Sequence, residues 1–167
     1  MKSVISVCFV KSHPDAVLPK RNHNDTYDYT SNGDTGYDLT CIMDTIILAG
    51  ESAVVPIGLK LGYVSNGYWC RIESRSGKAF KNGLVAFNGI IDNQYRGDLS
   101  VLIFNHSKVD YTFKMGERAA QLVFYPIVPI SASFIDKPLE SKRGEKGFGS
   151  SDEIDVSDGP PNVILPM

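Results

Sequence analysis

The sequence has no apolar run near the roughly 20 residues that a membrane-spanning helix needs, so no such helix is expected. Its opening stretch, MKSVISVCFVKSHPDA, carries one Lys and a short apolar run but no small-residue cleavage site. Ile5, Val7 and Phe9 alternate as in a strand, which argues against a signal peptide. Cysteines are few and odd in number: Cys8, Cys41 and Cys70, each in an apolar strand-like stretch and none in C-x-x-C spacing. That excludes a thiolate metal site and predicts three buried thiols in a reducing compartment, cytoplasmic or nuclear. The sequons at Asn24 and Asn105 then read as chance matches. Neither sign of charge dominates: 17 Lys and Arg stand against 19 Asp and Glu, a formal net charge of −2. A chain that holds nucleic acid by neutralising its phosphates is not expected, whereas a small acidic substrate can be held by a few local cations. Sustained 3.6-residue periodicity is missing as well, which excludes an all-helical fold.

What is present is the pattern of an all-β protein of one ordinary domain. Short stretches rich in Val, Ile, Tyr and Phe are separated at close intervals by Gly, Asn, Asp or Pro. Strands are predicted over 3–10, 37–43, 45–49, 52–55, 57–64, 68–73, 84–86, 99–105, 109–113, 118–125 and 131–135. A single short helix is predicted around 75–81. LSVLIFN (99–105) is apolar on both faces at its centre, so both faces should be covered, as in a sandwich or against another subunit. Residues 19–35 are polar and read as a long surface loop. Residues 136–153 are rich in charge, Gly and Ser, so no strand is expected there. The chain thus divides into a β domain over 1–135 and a C-terminal stretch over 136–167, which ends in the apolar GPPNVILPM.

Four stretches suggest a phosphate and nucleotide site. SRSGK (74–78) puts Arg75, Ser76 and Lys78 around a glycine, so side-chain donors and backbone N–H groups converge. GERAAQ (116–121) adds Arg118 and Gln121 at the start of a strand. KRGEKGFGSS (142–151) combines Arg143 and Lys146 with three glycines, two serines and one aromatic ring. GIIDNQYRGD (89–98) sets Asp92 in a turn after an apolar strand, where a carboxylate can activate water.

Together with DTGYDL (34–39), these stretches resemble, in order and spacing, the five motifs of the trimeric dUTPase family. The resemblance spans residues 34 to 151. It implies a jelly-roll-like β sandwich or barrel, a homotrimer with three shared active sites, and a flexible C-terminal arm carrying the fifth motif. The reaction implied is Mg²⁺-dependent hydrolysis of dUTP to dUMP and pyrophosphate by water attack on the α-phosphorus. That activity limits uracil incorporation into DNA and supplies dUMP for thymidylate synthesis. Asp92 would orient the water and take its proton, and Asp38 would hold Mg²⁺ through water. Arg75, Ser76, Gly77 and Gln121 would contact the phosphates. Arg118 is left open between a phosphate contact and an interface ion pair. Tyr95 would pack under the deoxyribose and exclude a 2′-hydroxyl. A β-hairpin around 84–92, with Asn88, Gly89 and Ile91, would read uracil. From the arm, Arg143 would reach the γ-phosphate, and Phe148 would stack on the base beside Gly149 and Ser150. Lys142 and Lys146 would add local positive potential.

The sequence departs from the family pattern in places. Many members carry an Asn six residues before the catalytic Asp, where this chain has Ala86; Asn88 is the polar residue nearest that role. The segment before the first motif is longer than usual, and a tail runs on past Ser151. A dCTP deaminase on the same fold would need a Glu ten residues after Asp92, where Leu102 stands. A non-catalytic nucleotide-binding or signalling protein is the rival from another class, but it would have no use for a water-activating Asp. A Walker loop in KGFGSS lacks its Gly-Lys-Ser/Thr core.

Overall fold

The computed structural model describes residues 4–21, 34–141 and 144–145. Two antiparallel four-stranded sheets pack as a sandwich. The first has the order β1 (Val7–Lys11), β4 (Ser52–Val64), β8 (Asp98–Asn105), β6 (Leu84–Ala86). The second has the order β2 (Tyr37–Thr40), β10 (Arg118–Pro126), β5 (Tyr68–Ser74), β7 (Ile90–Ile91). β3 (Thr45–Ile47) and β9 (Tyr111–Phe113) form a two-stranded ribbon, and α1 (Ser76–Asn82) follows β5.

Period-2 alternation builds the core. On β8, Leu99, Val101 and Ile103 are buried while Ser100 is exposed between them. They join Val55, Ile57, Leu59 and Leu61 of β4 in one cluster with Leu39, Cys70, Ile72 and Leu122 of the second sheet. Each such aliphatic side chain contributes about 1.5–3 kcal/mol on burial. The outer face of β8 is only half covered within one chain. Leu102 lies opposite Val54 and Phe104 opposite Val85, and Val54, Val85 and Phe87 are exposed.

The two strands expected at 52–55 and 57–64 are one, β4, kinked by a register shift between Pro56 and Leu59. Gly58 sits in that kink at φ +70, where a Cβ would come within 2.7 Å of His13.

Two expectations need correction. Cys8 is exposed, because β1 is a sheet edge and Cys8 faces outward; only Cys41 and Cys70 are buried. Residues 131–135 form no strand, since a strand exists only with a pairing partner and none is present for them among the described residues. The apolar strand expected before Asp92 is β7, the edge strand of the second sheet, and it is two residues long. One compact unit extends to Pro129 and a second begins at Ile130; in the described part of the second there is no regular structure, and Phe134 and Leu139 are exposed. Asn105 is 1 % exposed and donates to the carbonyls of Ile47 and Val109, which leaves no room for a glycan. No helix among the described residues is long and apolar enough to cross a membrane. Of the polar loop 19–35, residues 22–33 lie outside the described residues, as does the tail after Ser151.

Candidate active site

β10 is the frame of the site. In the second sheet Gln121 pairs with Asp38 on β2 at one side and with Glu73 on β5 at the other. Directly opposed residues in antiparallel strands face the same way, so the first, second and fourth motifs meet at one end of this sheet. A register shift between Arg118 and Ala120 adds one residue to β10 and turns Arg118 toward Asp38. β5 then runs into α1, with Arg75 in extended conformation at the helix N-cap.

These elements enclose a cleft of about 360 Å³, lined by Asp34, Thr35, Gly36 and Asp38 of the first motif, Arg75 to Lys78 of the second, Lys81 and Asn82 of α1, and Gln121. Three cations (Arg75, Lys78, Lys81) and two carboxylates (Asp34, Asp38) are among these lining residues. Asp38 is 8 % exposed and gripped by two guanidinium groups: Nε of Arg75 lies 2.8 Å from Oδ1, and a terminal nitrogen of Arg118 lies 3.1 Å from Oδ2. Within one chain Arg118 thus forms an ion pair with Asp38, a partner that neither of its two expected roles named. Gln121 donates through Nε2 to the carbonyl of Ser74 at 2.9 Å. Its side chain occupies the place where a Cβ on Gly36 would fall. At Gly77, by contrast, a Cβ would meet nothing within 4 Å, so that glycine leaves its backbone open to a ligand rather than relieving a clash.

The third motif lies elsewhere. Ile91 pairs with Cys70 near the start of β5, and Asp92 continues toward that start, whereas Arg75 lies beyond the strand's other end. At ~3.3 Å per residue the separation along the sheet is roughly 15–20 Å. Asp92 and Asn88 are exposed and Gly89 and Ile91 half-buried. Tyr95 is folded back on its own loop: its hydroxyl donates to the carbonyl of Asp98, and its ring covers Gly97. The hairpin expected over 84–92 is not a hairpin. β6 pairs with β8 and β7 with β5, and residues 87–89 cross between the sheets, with Ile72 N–H donating to Gly89 O. The two strands belong to different sheets and so do not pair with each other.

A family model described as dUTPase matches residues 22–152. The chain belongs to the dUTPase family. It is 41% identical over 128 residues to the deoxyuridine 5'-triphosphate nucleotidohydrolase of Tolumonas auensis, covering 74% of this chain and 85% of that one. It is 35% identical over 144 residues to that of Picosynechococcus, covering 85% and 95%. The mitochondrial enzyme of Dictyostelium discoideum is 37% identical over 136 residues, covering 81% and 71%. Among solved structures, Staphylococcus bacteriophage 80alpha dUTPase with dUPNHPP aligns at a TM-score of 0.75 and 28% identity, covering 87% of this chain and 98% of that one. The chain is thus a dUTP diphosphatase with the dUTPase fold.

In this dUTPase the described donors do not fit a resident metal ion. No cluster of three or more His, Cys, Asp or Glu is present among the described residues. Asp38 lines the cleft with both oxygens engaged, yet each can accept one further hydrogen bond. That suits a hydrated cation brought in by the phosphates better than a bare one held by protein. Arg143, Phe148, Gly149 and Ser150, with Lys142 and Lys146, lie outside the described residues. Sequence reasoning missed Asp34, Thr35, Gly36, Lys81 and Asn82 as lining residues; the signals available were the first motif, DTGYDL, for the first three and, for Lys81, a cation four residues after Gly77 on a short helix. It also missed Asn93, whose amide donates to the carbonyls of Val64, Ser65 and Tyr68 and ties the Asp92 loop to the β4–β5 turn.

Proposed function

We propose that this dUTPase works as a homotrimer whose active sites are each assembled from more than one copy, with the cleft supplied by one chain and Asp92 by another. The observation that carries this is the register of β5, which keeps Asp92 roughly 15–20 Å from Arg75 in one chain, too far for a water on Asp92 to reach a phosphorus in the cleft. The half-covered apolar face of Val54, Val85, Phe87, Leu102 and Phe104 supports a subunit contact as well.

The substrate is magnesium-chelated dUTP, its metal carried on the phosphates and steadied through water by Asp38. Arg75, Ser76, Gly77 and Gln121 take the triphosphate; guanidinium, hydroxyl and backbone N–H groups offset its charge and fix it for in-line attack. Asp92 accepts the proton of a water whose oxygen bonds to the α-phosphorus. The bond from that phosphorus to the bridging oxygen breaks, and pyrophosphate leaves with the bonding pair. Tyr95 packs against the deoxyribose, so a 2′-hydroxyl is excluded sterically. Backbone groups of residues 86–91, with Asn88, Gly89 and Ile91, read the uracil edge; a thymine methyl clashes there, and cytosine leaves polar groups unpaired. Residues 136–167 act as the arm, bringing Arg143 to the γ-phosphate and Phe148, with Gly149 and Ser150, over the base. The unpaired thiols of Cys8, Cys41 and Cys70 accord with a reducing compartment, cytoplasmic or nuclear.

Complementation tests the shared site. Asp92→Asn and Arg75→Ala chains are each expected to bind into trimers and to lose turnover by orders of magnitude. Co-assembled in equal amounts, they should regain about one quarter of normal sites, since each site draws its cleft and its Asp from different copies with even odds. Mixed trimers as inactive as their parents would overturn the reading.

A further inference from the structure

The wall of the cleft that carries Ser76 and Gly77 is a helix with little to hold it. α1 has seven residues, none of them buried, and its N-cap residue makes no side-chain capping bond. A helix of that length is unstable alone, and here no apolar face anchors it. Its C-terminal end is tied down by Gly83, whose carbonyl accepts from the His106 N–H. At its N-terminal end the notable tie is Lys78. Although Lys78 lines the cleft, its ammonium turns away from the phosphate side, onto Glu117 and Tyr111.

That contact is a closed network. Lys78 donates to a Glu117 carboxylate oxygen and to the Tyr111 hydroxyl, and Tyr111 donates in turn to the same oxygen at 2.6 Å. The other Glu117 oxygen accepts from the Lys114 N–H at 3.0 Å. The Lys78 side chain is 15% exposed, and its nitrogen lies 4.9 Å from the Tyr111 ring centre and 5.3 Å from that of Phe113. Glu117 is fixed by its backbone too, its carbonyl accepting from the Cys41 N–H. An ammonium so engaged is already neutralised and leaves little attraction for a phosphate.

We propose that Lys78 is a positioning residue, which pins α1 to β9 and to the turn before β10 and so holds Ser76 and Gly77 at the phosphate wall. This rests on the reading of the cleft as the triphosphate site. Burial opposes the ammonium, but the bonds with Glu117 and Tyr111 outweigh it and Lys78 is held above the ordinary lysine value. Burial likewise penalises Glu117, yet the bonds from Lys78 and Tyr111 hold it below the ordinary glutamate value. Both groups stay charged throughout the neutral range, so the brace does not switch with physiological pH.

The test uses the full chain with Lys78→Met, Glu117→Gln, the double variant and Lys78→Arg, read by pyrophosphate release from dUTP and by hydrogen exchange of the α1 amides without substrate. Lys78→Met and Glu117→Gln should each raise KM roughly 10-fold with kcat nearly unchanged, as loss of a charged hydrogen bond behind a binding wall would. The double variant should be no worse than about 3-fold beyond the weaker single, because both break one contact. Lys78→Arg should restore KM. Amides of Lys78 and Ala79, which donate to the Arg75 carbonyl, should exchange faster in the Met and Gln variants. A weakened Lys78→Met beside a normal Glu117→Gln would make Lys78 a phosphate ligand and overturn the brace, as would normal KM and exchange in both. If the unmodified chain released no pyrophosphate, the triphosphate reading would fall, while hydrogen exchange would still decide the brace. Should Lys78→Met not fold, Glu117→Gln and Lys78→Arg carry the same decision.

Discussion

Gly36→Ala separates the seating of Gln121 from the stability of the fold. The added Cβ would lie 1.9 Å from the Gln121 amide oxygen, 2.5 Å from its Cδ and 2.9 Å from its Cγ. To regain van der Waals separation the amide must retreat by about 1.5 Å. Its bond to the Ser74 carbonyl, 2.9 Å long, is then lost. That loss costs about 0.5–1.5 kcal/mol. Gly36 is not at positive φ, so alanine is tolerated by the backbone and restricts the unfolded chain, which returns about 0.4–1 kcal/mol. The two nearly cancel, and the melting temperature should move by only a few degrees (about 4–8 °C per kcal/mol for a small domain, less for a larger one). The amide displaced into the cleft, however, takes space and a donor from the triphosphate, so the KM for dUTP should rise roughly 10- to 100-fold. Steady-state pyrophosphate release and a thermal melt on the same preparation read both quantities. A KM equal to that of the unmodified chain would refute the argument, since it would mean that Gln121 has no part in the substrate site or that Gly36 does not seat it. A collapse in stability would refute it from the other side.

Two further outcomes follow from other parts of the chain. Truncation before Arg143 should leave a folded trimer that releases pyrophosphate slowly, by sedimentation and steady-state kinetics; an unaffected rate would remove the arm from the mechanism. Burial pushes the Cys70 thiol up from its ordinary 9.0 to about 12, so the folded state holds that proton more tightly than the unfolded state does. Its stabilising contribution is intact below the unfolded value and is lost as pH rises toward the folded one. Urea midpoints taken between about pH 8 and about pH 11 should fall more steeply for the unmodified chain than for Cys70→Val, and equal slopes would contradict the burial argument.

Much of the fold was legible because alternation is a local property. Leu99, Val101 and Ile103 announce an inward face without reference to any other strand, and the glycine and asparagine breaks bound most of the other strands. The short helix after β5 was legible too, as the segment around 75–81, and in the structure it ends at a left-handed Gly83. What escaped was decided by partners. Residues 131–135 have a strand's composition but no strand to pair with among the described residues, while the apolar stretch before Asp92 pairs with β5 rather than with the strand at 84–86. Cys8 has the neighbours of a core residue, but at the edge of a sheet its parity faces it outward.

The candidate site divides along the same line. Order and spacing of the motifs carried the resemblance to the dUTPase family, and the resemblance implied the reaction, because such motifs are short runs of sequence that can be matched without knowing the fold. Only the tertiary structure decided which of them share a cleft. The register of β10 set Asp38, Arg75, Ser76, Gly77 and Gln121 at one end of the second sheet, and the register of β7 carried Asp92 to the other. Likewise a lysine in a phosphate-like motif reads as a ligand until the fold brings Glu117 and Tyr111 to it. A sequence states which charges exist, but their partners are chosen by strand pairing, and pairing is a property of the whole chain.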